Sequence, residues 1–388
     1  MQARKPQTGG INPTMTDTTA NGSSQANGST PASGNSPASK ANSVHAETPA
    51  HGETPAHSLA PLSLLDFATV FKGERPADAF DRSVQWAQQA EKLGFERIWY
   101  SEHHNMKSIA SSAPAVLIAH IAAKTSTINL GAGGVMLPNH APLVIAEQFG
   151  TLAELHPGRI DLGLGRAPGT DQMTLRALRR EPSAAETFPQ DVAELYGYLN
   201  GPSKIPGVEA VPGMGTKVPL YILGSSLFGA QLAAHLGLPY SFASHFAPAA
   251  LTQAVQVYRD NYQPSERHPE PYVIAAVNVT AADTQEEAEE QFRQVCRTRV
   301  RVMAGRGRSL TEEELDMLID SPAGQQILDM LRYSAVGTGD VVRRYLEEFR
   351  THAQADELMV SLQSPSTAES LRSMEILADA ASLSPTQR

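Results

Sequence analysis

The sequence predicts an α/β protein in which eight parallel strands close into a (β/α)₈ TIM barrel. Three observations carry this expectation. Strand-like segments start near residues 62, 96, 128 and 159 and alternate with helical ones, a step of roughly thirty residues that suits one βα unit with short loops. Further strand-like segments at 219–223, 240–243, 272–279 and 357–362 bring the number to eight. The first strand runs into Asp66-Phe67-Ala68-Thr69 rather than the Gly-rich turn of a dinucleotide-binding open sheet, the alternative fold.

Each element has its own signal. Residues 1–60 are Ser, Thr, Ala, Gly, Asn and Pro with few large apolar side chains. Such a segment buries too little surface to offset the entropy of ordering it, so a disordered tail is expected there and the barrel domain over 61–388. The near-repeat His45–Ala50 and His51–Ala56 reads as polar filler rather than a metal site. Leu62–Phe67 is a buried strand. In the helix expected over Asp78–Leu93, Phe80, Val84 and Ala87 share one face and Gly94 supplies the stop. Arg97–Tyr100 is the second strand. Ser112 can cap the next helix, with Pro114 in its first turn. Ile128–Val135 is the third strand, Pro142 opens a helix, and Arg159–Leu164 is the fourth strand. Insertions are expected after strands four and seven, and the Gly- and Pro-rich run 201–217 is expected as an excursion over the barrel mouth.

Composition narrows the function. The 388 residues are 41% hydrophobic and 19% charged, ordinary for a globular protein. No apolar run is long enough to span a bilayer, and no apolar leader is present, so a cytoplasmic protein without a membrane partner is expected. The net charge of −10 argues against nucleic acid as a partner. The single cysteine, Cys296, excludes an intrachain disulfide and a multi-cysteine metal site, and no metal is expected.

Barrel chemistry sits at the C-terminal ends of the strands. Strand two ends in Ser101-Glu102-His103-His104-Asn105. Two imidazoles beside a carboxylate can exchange protons near neutral pH, or one can be a packed structural residue. Adjacent side chains on extended backbone point to opposite faces, which disfavours one shared ion. Strand three ends in a run containing Gly133 and Gly134, a place for close ligand approach or a plain bulge. Strand four delivers Arg166, suited to a phosphate or to a surface ion pair. Strand five ends in Gly224-Ser225-Ser226 before a helix, an anion site or ordinary N-capping. Because strands four and five are neighbours, one phosphate could touch both Arg166 and the serines. His140 and His245 also follow strand ends, where a pocket role and a structural role are both open. Val336–Asp340 reads as a turn and N-cap.

Three segments together resemble the bacterial luciferase-like monooxygenase family: Trp99–His104, Gly133–Pro138, and Pro157-Gly158-Arg159 through Gly165-Arg166, with Gly224-Ser225-Ser226 also fitting. The resemblance runs from about Leu62 to the end and is strongest up to Gly169. It implies a (β/α)₈ barrel, a reduced FMN that reacts with O₂ to oxidise a small organic substrate, and a homodimer. It places His103 and His104 beside the flavin ring as catalytic residues, with His103 foremost. It puts a non-proline cis peptide at Gly133-Gly134 and phosphate contacts at Arg166 and Ser225. Gly165 stands where luciferases proper carry a reactive cysteine, so light emission is not expected. With no dinucleotide fingerprint in the chain, a separate flavin reductase is the expected electron source. Relatives also suggest a deazaflavin-dependent hydride transfer, or a protein that holds flavin without turnover.

Overall fold

The structure is a computed structural model that describes residues 59–305 and 310–385. The expected tail lies outside the described residues except for Leu59 and Ala60. Both are buried in the folded domain.

The strands are β1 (Leu62–Asp66), β2 (Arg97–Tyr100), β3 (Asn129–Met136), β4 (Ile160–Gly165), β5 (Leu220–Gly224), β6 (Tyr240–Phe242), β7 (Val273–Ala281), β8 (Ser334–Gly337) and β9 (Glu357–Leu362). All pairings between them are parallel. The chain of neighbours runs from β6 back to β1, on to β9 and β7, and β7 pairs again with β6. Eight strands, β1–β7 and β9, thus close a barrel at every position where the sequence predicts one. Amphipathic helices at 76–93, 114–122 and 142–155 alternate with the first strands. The first ends in a left-handed Gly94 whose amide donates back to Ala90 O. The second is capped by Ala113 without a side-chain bond, so Ser112 does not cap it.

The ninth strand is an addition that the sequence reading missed. A strand has two pairing edges, and β9 occupies one edge of β7 along Ile274–Val279. The other edge is shared: β6 takes Val273–Ala275, and β8 takes Asn278–Ala281. β8 therefore stands above β6, at the mouth. It belongs to the insertion after β7, with helices Gln285–Ala304, Glu312–Asp320 and Pro322–Asp329. Val336 and Gly337 close β8 where a turn is expected, while Thr338 is the N-cap of the helix Gly339–Ala353, as expected.

The excursion at 201–217 lies elsewhere than expected. It enters β5 at its N-terminal end, the end of the barrel opposite the mouth, and its Gly213 packs on Ala146 and Gly150 of an outer helix. Reading its Gly and Pro content alone ignored which end of the strand it serves.

Inside the barrel, Leu65, Trp99, Tyr221, Ile274, Ala276 and Met359 form a small apolar cluster, while the large core lies between strands and helices. Trp99 fills the interior beside the glycines of β3: a Cβ on Gly131 would come within 2.7 Å of its ring, and one on Gly133 within 2.9 Å of its own Cβ. Below this cluster, at the N-terminal ends of the strands, Arg97 is buried. Its Nε donates to Glu357 at 2.9 Å, and its Nη1 to Asp161 at 2.6 Å and to the Tyr221 hydroxyl at 3.0 Å. Trp99 Nε1 donates to Asp161, and the Ser63 and Tyr272 hydroxyls donate to Glu357.

Removing one member of a buried ion network leaves the others uncompensated, at about 3–5 kcal/mol. Arg97→Met is expected to lower unfolding free energy by about that much in urea titration. Arg372→Ala, which breaks an exposed pair with Asp283, is expected to cost under about 1 kcal/mol. Equal losses would contradict this reading of the barrel floor.

Candidate active site

The mouth is organised by Glu102, whose side chain is fully buried just past the end of β2. Its Oε1 accepts from His104 Nε2 at 2.9 Å and from His140 Nε2 at 2.8 Å. Its Oε2 accepts from the amide of Met136 at 3.0 Å, and Asn139 Nδ2 approaches Oε1 at 3.4 Å. Burial alone would push this carboxyl up. The hydrogen bonds from the two imidazoles outweigh it and hold Glu102 below the usual carboxylate range. An ionised Glu102 only accepts, so both histidines carry their proton on Nε2. The bond to Glu102 in turn raises His104 above an ordinary histidine, against a smaller opposing effect of burial.

Further bonds tie this turn to its neighbours. His104 N–H reaches Gly169 O at 3.4 Å, Asn139 Nδ2 donates to Pro168 O, and Asn105 Nδ2 donates to Asp171. The turns after β2, β3 and β4 thus form one piece.

His103 faces the other way, as alternation on extended backbone requires. Its Nδ1 lies 3.2 Å from Ser101 Oγ, and its amide donates to Ser111 O at 3.0 Å. Its ring stands 5.9 Å from Phe67, centroid to centroid. Burial lowers its pKa, partly offset by Glu102. Phe67 also meets His245, 6.1 Å away, which in turn meets Phe246. Burial, with smaller contributions from Arg299 and His103, pushes His245 down to about 3, and among the described residues its Nδ1 has no partner.

On the opposite arc, Arg166 follows β4 directly. It is exposed, and its guanidinium stacks on Phe228, 4.0 Å from the ring centroid. Among the described residues it has no ion pair. Phe228 lies in the first turn of the helix Leu227–Leu236, two residues past its N-cap Ser226. Neither Ser226 nor Ser225 is buried, and the Ser226 hydroxyl makes no capping bond. Arg166, Ser225 and Ser226 therefore gather at one rim. A Cβ on Gly224 would meet nothing closer than 3.6 Å, so the barrel's own packing does not demand glycine there. Gly133 and Gly134 differ. Their peptide bond is cis, and a Cβ on Gly134 would come within 2.7 Å of Gly163 O. The barrel itself requires glycine at both positions of β3.

The residues that sequence reasoning missed are Glu102 as hub and His140 as its second imidazole partner. The signal was present, since both lie just past neighbouring strand ends. A cavity of about 630 Å³ lies apart from this site, in the insertion after β7, bounded by Phe292, Cys296, Asp316 and Ile319. None of His103, His104, Arg166, Ser225 and Ser226 lines it.

Comparison with known proteins shows the family and the fold. Residues 62–355 match the family described as luciferase-like monooxygenase. A luciferase-like monooxygenase of Escherichia coli strain K12 is 47% identical over 320 residues, covering 82% of this chain and 96% of that protein. An N-acetyl-S-alkylcysteine monooxygenase of Bacillus subtilis strain 168 is 31% identical over 330 residues, covering 82% and 97%. The crystal structure of apo-MsnO8 superposes with a TM-score of 0.76 at 35% identity, covering 84% of this chain and 100% of that one. The chain belongs to the luciferase-like monooxygenase family.

Proposed function

We propose that this protein is an FMN-dependent monooxygenase that uses reduced FMN and O₂ to oxidise a small organic substrate. The observation that carries the proposal is the gathering of an unpaired Arg166 with Ser225 and Ser226 at a helix N-terminus, on the same mouth as His103. A cation, two hydroxyls and the free amides of a helix start are the donor set that a phosphate monoester needs. Gly224 leaves room beside them. Reduced FMN bound there would supply the electrons that activate O₂.

The protein's own groups do the rest. Arg166, Ser225 and Ser226 would bind the phosphate, and the bend at Gly133-Gly134 would lie along the ring system. His103 is held by Ser101 through Nδ1, which leaves Nε2 to take or give a proton at the substrate. His104, fixed by Glu102, is a positioning residue. Phe67 and the insertion after β7 would exclude water. The chain carries no dinucleotide fingerprint, which favours a separate reductase as the source of reduced flavin. A homodimer follows from the family resemblance, and a cytoplasmic location from the single cysteine.

Anaerobic titration with reduced FMN, followed by oxygen uptake, tests this. Tight binding of reduced FMN is expected, with affinity weakened about ten- to hundredfold in Arg166→Ala. Binding of a reduced deazaflavin in preference to FMN would overturn the cofactor assignment.

His103→Ala is expected to lower turnover by about two orders of magnitude or more with FMN affinity unchanged; full activity would remove it from the chemistry. To accept a proton His103 must be neutral. Its pKa lies below the ordinary 6.5, so the neutral form persists further into acid than in a free imidazole. The acid limb of kcat/KM should therefore fall below pH 6.5, and a limb above that value would contradict the assignment.

A further inference from the structure

The helix Gln285–Ala304 carries four arginines, and they divide by face. Arg293, Arg297 and Arg301 recur every fourth residue and share one side. Each has a carboxylate: Arg293 meets Glu290, Arg297 meets Glu312 and Asp316, and Arg301 meets Glu312 at 3.1 Å. Arg299 points the other way, some 200° around the helix from Arg297 at about 100° per residue. It is half-buried, and among the described residues it has no hydrogen bond and no ion pair. Its electrostatic neighbours are Cys296 on its own helix and His245 just past β6. Neither carries a negative charge near neutral pH, since burial raises the thiol and lowers the imidazole.

This cation lies within electrostatic reach of His245, just past β6 at the mouth. β8 occupies the edge of β7 directly above β6, which sets the insertion over the end of β6. Asn278 of β7 joins the two, donating to His245 O at 2.8 Å and to Tyr333 O at 3.3 Å. His245 contacts Phe67, which contacts His103, and the neighbouring Phe246 is 41% exposed. A half-desolvated guanidinium without a counter-charge costs the fold free energy and returns none. An anionic ligand would repay that cost, most fully through the two parallel bonds that guanidinium makes to an oxoanion.

We propose that Arg299 recognises the substrate, and that the substrate is an organic monoanion, a carboxylate or sulfonate, whose apolar body rests on Phe67 and Phe246. This deepens the reading of the mouth as the active site and rests on it. It assigns Arg299 a ligand distinct from the flavin phosphate, which has its own cation in Arg166.

Calorimetry on the purified full chain, with and without FMN, tests the proposal using octanoate, octane-1-sulfonate and the neutral methyl octanoate as probes. At least one anion is expected to bind ten times more tightly than the ester, and which one does so separates carboxylate from sulfonate. Arg299→Gln is expected to weaken that binding tenfold or more, Arg299→Lys to keep part of it, and both to leave FMN affinity unchanged. Because the unpaired charge is a cost, Arg299→Gln should melt no lower than the parent. Ester binding as tight as the anions, anion binding unaffected by Arg299→Gln, or a lower melting temperature in both variants would each overturn the proposal. FMN affinity is read separately, so failure of the flavin reading leaves the anion result interpretable in the flavin-free protein.

Discussion

One buried carboxylate holds the mouth together. Glu102 accepts from two imidazoles, an amide and a side-chain amide contributed by the end of β3 and the turns after β2 and β3. A fully buried charge is tolerable only when its acceptor capacity is used, and here each oxygen is engaged. The consequence is directional. With His104 fixed to Glu102, backbone alternation turns His103 into the open mouth beside Phe67. A rigid turn of this kind is how a barrel can present a proton-transferring group from a loop.

The two ends of the barrel treat polar groups differently. At the floor, Arg97, Asp161, Glu357, Tyr221 and Tyr272 satisfy one another in a closed network. At the mouth, among the described residues, Arg166 and Arg299 lack carboxylates, and His245 Nδ1, Asn278 Oδ1 and Ser364 Oγ are buried without partners. Satisfied networks rigidify, while unsatisfied groups cost free energy unless a ligand or water completes them. The contrast fits the division expected of this fold, with stability at the floor and ligand contact at the mouth.

Much of this was legible in the residues. The step between strand starts gave the first four barrel strands, because each βα unit repeats the same burial problem, and short apolar segments gave the other four across uneven gaps. The strand-end positions of His103, His104, Arg166 and Ser225-Ser226 followed from counting. Four features were not legible. β8 is four residues, Ser-Ala-Val-Gly, too short to show alternation, and it exists because β7 overshoots β6 and leaves an open edge. The run 201–217 was placed at the mouth because its composition says loop but not which end of the barrel. Glu102 was noticed only as a neighbour of histidines, since its partner His140 arrives from another turn. Likewise, Arg299 sits in a densely charged helix, and only the fold shows which arginine lacks a partner.

The central claim is that an ionised Glu102 fixes the imidazoles around it. Histidine ring-nitrogen NMR across pH, on the parent and on Glu102→Gln, tests it most directly. The account predicts that His104 in the parent is protonated on Nε2 and titrates above 6.5, and that the substitution moves its pKa downward. An His104 that titrates at or below the ordinary value, and does so unchanged in Glu102→Gln, would contradict it.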